Sequence, residues 1–133
     1  GSSTTSAWRN DVTGGEVYAA HKPKEYVARS AAERQGFDLM VLQPGELNFM
    51  VSKIRNGVAE IFSGTTNQTS RTTIFTTAQE MATNAEVALG GAQVSVGGNS
   101  DMAEVVSAFN RNWLGEVDQE DVNWMISNNL LGG

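Results

Sequence analysis

Leu47-Asn48-Phe49-Met50-Val51-Ser52-Lys53-Ile54-Arg55-Asn56-Gly57 is the stretch on which the reading of the fold turns. Its side chains alternate. Leu47, Phe49 and Val51 fall on one face of an extended chain, and Asn48, Met50 and Ser52 on the other. Asn56-Gly57 follows, the strongest short hairpin signal, and Val58-Ala59-Glu60-Ile61-Phe62 has the composition of a returning strand. Upstream, Phe37-Asp38-Leu39-Met40-Val41-Leu42 ends at Gln43-Pro44-Gly45-Glu46. Pro before Gly is the order a type II turn requires, with Gly supplying the positive φ. Residues 37–63 therefore read as an antiparallel meander.

Outward from this centre, residues 15–31 carry two short runs, Val17-Tyr18-Ala19-Ala20 and Glu25-Tyr26-Val27-Ala28, around His21-Lys22-Pro23-Lys24. They read as an N-terminal hairpin. A helix from Pro23 to Gly36 is the competing reading, favoured by Ala28, Ala31 and Ala32. Residues 64–70 form a polar loop, and residues 71–77 have strand composition. Thr77-Ala78-Gln79-Glu80 matches a capping box that opens a helix, while residues 86–96 fit a strand with a bulge at Gly90-Gly91. Both readings stay open.

Toward the C-terminus the period changes. Asn99 and Ser100 are suitable N-caps, and Val105, Val106, Phe109 and Trp113 make an apolar stripe at helical spacing that Gly115 ends. Asp118 caps a second helix whose buried face is Val122, Met125, Ile126 and Leu130. The expected fold is α+β: an antiparallel sheet with an N-terminal hairpin, then two C-terminal helices. Residues 1–14 read as a flexible N-terminal segment and residues 15–133 as a single domain.

Composition narrows the chemistry. The 133 residues contain no cysteine and one histidine, which excludes thiol nucleophiles, disulfides and multi-histidine metal sites. Ser, Thr and Asn occur eleven times each against three lysines, and the formal net charge is -6, so the surface reads as neutral and polar. No apolar run approaches a membrane span, and residues 1–6 lack a signal-peptide pattern. His21, in a polar turn beside Lys22 and Lys24, reads as a surface histidine rather than a base. Glu116, Asp118, Glu120 and Asp121 are explained by capping and the helix dipole. The glycine pairs lack the context of a phosphate loop. No catalytic residue, metal site, cofactor, small-molecule substrate or membrane partner is expected.

One resemblance gives the chain a role. Gln93-Val94-Ser95-Val96 with residues 99–109, Asp121-Val122-Asn123-Trp124-Met125-Ile126 with the tail that follows, and the central run 47–57 together resemble the coat proteins of single-stranded RNA bacteriophages, the leviviruses. The likeness extends from about Val17 onward. It implies a non-enzymatic capsid protein that forms homodimers and assembles into an icosahedral shell around genomic RNA, in virions built in the bacterial cytoplasm. It also implies that the C-terminal helices pack across the partner's sheet. Val105, Val106, Phe109, Trp113, Val122, Met125 and Ile126 would then be dimer interface. The inward sheet face with Asn48, Met50 and Ser52 would touch single-stranded RNA, with Lys53, Arg55 and Arg71 supplying charge. Alternation places Lys53 and Arg55 with Phe49 and Val51, so their use needs a bulge or an exposed strand end. The alternative reading is a small non-catalytic envelope or secreted interaction module.

Overall fold

The structure is a computed structural model that describes residues 2–111. It is α+β, with a layer of helices inserted between the first strand and the rest of its sheet in sequence. The elements are β1 Ser2–Trp8, β2 Val12–Thr13, α1 Gly14–Ala20, α2 Pro23–Val27, α3 Ala31–Leu42, β3 Glu46–Leu47, α4 Ser52–Ile61, a 3-10 turn Thr65–Asn67, α5 Gln68–Thr77, β4 Gln79–Thr83, α6 Asn84–Ala88, β5 Ala92–Gly97 and β6 Val105–Asn110.

Capping explains where three of these helices start. The Thr13, Ser30 and Thr83 hydroxyls accept from the backbone N–H of Glu16, Glu33 and Glu86, and each glutamate accepts from the backbone N–H of its cap. Pro23 opens α2 at a position where its missing N–H costs nothing. The expected N-terminal hairpin is therefore absent, and residues 14–42 are helical. The helix reading that began at Pro23 holds at its start, but Gly36 lies inside α3 rather than at its end.

The central stretch departs further from expectation. Only Leu47, with Glu46, is strand, paired antiparallel to β2 through Val12↔Leu47. Leu47, Phe49 and Met50 are buried, but from Ser52 the chain is helical. Ile54, Val58 and Ile61 fall at i, i+4 and i+7, a helical stripe that packs into the core. Asn56-Gly57 thus lies in mid-helix. There the Gly57 Cα faces α3, where an added Cβ would sit 3.5 Å from the Met40 terminal methyl. Burial of the helical stripe overrides the local turn preference.

The main sheet is mixed, in the order β4-β1-β6-β5. β1 runs antiparallel to β4 (Trp8↔Gln79) and parallel to β6 (Ala7↔Phe109). β5 and β6 form a hairpin from Gly97↔Val105 to Ala92↔Asn110. Val105, Val106 and Phe109, expected on a helix, are therefore strand. Asn99 does cap, but its side-chain oxygen accepts from the backbone N–H of Asp101 and Met102 and closes the hairpin loop instead. Trp113, Val122, Met125 and Ile126, with the second expected helix, lie outside the described residues. Trp8, Phe37, Phe49, Phe62 and Phe75 fill the core between sheet and helices, with Trp8–Phe75 and Phe37–Phe62 meeting edge-on at 5.8 and 5.4 Å.

Arg9 ties this core to α1. It donates to Glu16 at 2.7 Å, to Asp11 at 3.0 Å and to the Thr77 carbonyl at 2.9 Å. The Arg9 hydrogen bond, then that of the Thr13 backbone, holds the Glu16 carboxyl down at about 2, below its ordinary 4.5. A depressed carboxylate stabilises the fold above its unfolded pKa and loses that contribution as pH falls through the folded value. Wild-type stability should thus decline between pH 4.5 and 2. Glu16→Gln should flatten that decline in urea titrations run across the interval. An unchanged slope would show that the Arg9 bridge carries no linkage.

Candidate functional site

The six residues expected at an RNA face do not form one. Asn48 precedes α4, and its side-chain oxygen accepts from the Met50 N–H at 2.9 Å. Met50 is buried. Ser52 and Lys53 are exposed on the first turn of α4. Arg55 and Arg71 point inward, on α4 and α5.

The two arginines are built differently. The Arg71 side chain is fully buried. Its guanidinium makes a two-pronged pair with Glu104, at 2.7 and 2.6 Å, and donates to the carbonyls of Phe62 and Gly64 at 2.6 Å each. It pins the end of α4 and the following loop to the base of β6. That pairing in turn holds the Glu104 carboxyl below the ordinary range. Arg55 has no carboxylate among the described residues. It donates to the Phe49 carbonyl at 2.7 Å and lies over the Trp8 ring at 5.4 Å, but its Nε is buried without a partner. Burial pushes its pKa down. Asn110 anchors the same corner by donating to the Met50 carbonyl at 3.1 Å. These are roles inside the fold. The signal missing from the sequence is the partner: Glu104 lies far along the chain from Arg71, and nothing local to either residue announces the pair.

His21 also differs from expectation. It is buried at the end of α1, among Tyr18, Tyr26 and Phe37, with Nδ1–H donating to the Tyr18 carbonyl. Among the described residues no group of three or more acidic or histidine side chains is placed to hold a metal ion, and no helix is long and apolar enough to cross a membrane.

What the fold does present outward is apolar. Tyr18 on α1, Val27 on α2, and Leu39 and Leu42 on α3 are 61%, 65%, 65% and 79% exposed. Leu39 and Leu42 are neighbours on one face of α3. Beside them a groove of about 360 Å³ runs between α3 and α4, lined by Ala32, Glu33, Gly36, Met40, Gly57, Glu60 and Ile61. Sequence reading missed this surface because it placed both helices in a sheet. Val105 adds an exposed apolar side chain at 61% on β6, whereas Val106 and Phe109 are largely covered within the chain. Chemically this is a surface for association. No protein-family model, no curated protein and no solved structure matches the chain.

Proposed function

We propose that the protein is a structural subunit that works by binding other copies of itself, with the coat role around single-stranded RNA as its setting. The observation that carries self-association is the row of large apolar side chains left in solvent on three successive helices, Tyr18, Val27, Leu39 and Leu42. Solvent-exposed apolar surface of this kind marks interaction sites. The coat role itself rests on the resemblance. In that reading the C-terminal stripe with Trp113, Val122, Met125 and Ile126 lies across a partner subunit. RNA contact then falls to exposed groups such as Ser52 and Lys53, because Arg55 and Arg71 are engaged internally.

A second reading, a non-catalytic interaction module, is favoured by the net charge of -6 and by those inward arginines, since phosphate binding relies on free Lys and Arg. Light scattering and electron microscopy of the purified chain, with filter binding to single-stranded RNA over a salt series, separate the two. Shells or dimers that retain RNA, with an affinity that falls as salt rises, support the coat role. Self-association without RNA binding at low salt favours the module. A monomer at micromolar concentration overturns the self-associating subunit altogether.

A further inference from the structure

We infer that the α3–α4 groove is the self-docking surface, seating the same groove of a second copy about a two-fold axis. This rests on the self-association reading and names its interface. The two helices run antiparallel: an added Cβ on Gly36 would lie 3.7 Å from Ile61, and one on Gly57 would lie 3.5 Å from Met40. The floor between them is short, with Ala32, Gly36 and Gly57 facing outward around Met40. Backbones of a second helix pair can approach closely there. Leu39 stands three residues after Gly36, on the rim, 65% exposed.

The charges select the occupant. Along the outer side of α4, Lys53 lies one turn before Gly57, and Glu60 nearly one turn after it. Both are exposed, and neither has an ion-pair partner among the described residues. Glu33, the other acid at the groove, is engaged with Arg29 and with the Ser30 cap. A purely basic peptide would meet Lys53, and a purely acidic one would meet Glu60. A second copy turned by 180° presents the reverse order. Its Glu60 lies against Lys53, its Lys53 against Glu60, and the two Gly57 residues meet at the axis where space is least. An isologous interface needs this self-complementary pattern. Leu39 of each copy then covers the apolar floor of the other.

The test is sedentation equilibrium replaced by its simplest equivalent, analytical ultracentrifugation of the full chain, with circular dichroism to confirm folding. Lys53→Glu and Glu60→Lys should each weaken the dimer by about tenfold or more, because like charges then face each other twice. The double variant should restore it, since the pairs re-form with reversed sign. Leu39→Asp should abolish dimers while leaving the fold intact, as the side chain is already in solvent. A wild-type dimer indifferent to all four variants overturns this interface and leaves self-association standing. A dimer that the single reversals weaken and the double variant fails to restore overturns the two-fold pairing. A monomeric wild type overturns both readings, and capture of a basic peptide by that monomer would identify the groove's occupant as another protein.

Discussion

Arg71→Met is expected to destabilise the protein by about 3 kcal/mol, while Arg55→Met leaves stability within about 1 kcal/mol or raises it. Both positions bury an arginine, and methionine keeps much of its volume. The difference lies in what is left behind. Without Arg71, Glu104 loses its two-pronged partner and the carbonyls of Phe62 and Gly64 lose their donor. Glu104 keeps 24% of its side chain in water, which holds the cost toward the lower end of the range for breaking a buried pair. Without Arg55, one bond to the Phe49 carbonyl and the contact with Trp8 are lost, but a desolvated cation with an unpartnered Nε disappears too. Urea denaturation at pH 7 measures both. Equal losses at the two sites would mean that Arg55 has a counter-charge in solution.

Gly14→Ala should cost about 3 kcal/mol, lowering the melting temperature by about 10 °C. An added Cβ would lie 2.0 Å from the Val41 carbonyl oxygen and 2.7 Å from its carbon. Both are backbone atoms, so relief requires α1 to move away from α3. Gly15→Ala is the control, because its nearest neighbour is the Thr13 hydroxyl at 3.9 Å. There the loss of unfolded-state freedom should stabilise the protein by about 0.5 kcal/mol. Calorimetry of the two variants decides it, and similar melting temperatures would disprove a close α1–α3 crossing in solution.

How much of this was legible follows from what each signal measures. The α+β class was readable, because both periods are present. Their assignment was not. The run from Leu47 to Ser52 alternates, while Ile54, Val58 and Ile61 keep helical spacing, and the two patterns overlap where the chain turns from one to the other. Asn56-Gly57 then weighted the choice toward a hairpin, although burial against α3 outweighs a two-residue preference. Capping boxes were the better guide. Thr13, Ser30 and Thr83, each followed three residues later by Glu, open α1, α3 and α6. The same spacing at Thr77 and Glu80 opens nothing, since Thr77 closes α5 and Glu80 lies in β4. The pattern permits a cap; whether the chain is free to start a helix there is decided by its neighbours. The candidate interface was invisible for the same reason, because Gly36 and Gly57 become one groove only after α3 and α4 cross.

The central pairing of β1 with β6 has a kinetic consequence. Ala7 sits opposite Phe109, about a hundred residues away along the chain, and β4, the other neighbour of β1, is itself some seventy residues distant. During synthesis β1 is made long before either neighbour exists. The helices α1 to α5 can form and collapse meanwhile, but the sheet they cover has to wait. Refolding should accordingly run slower than for a helical protein of this size, with a helix-rich intermediate that leaves β1 unpaired and prone to stick to other chains.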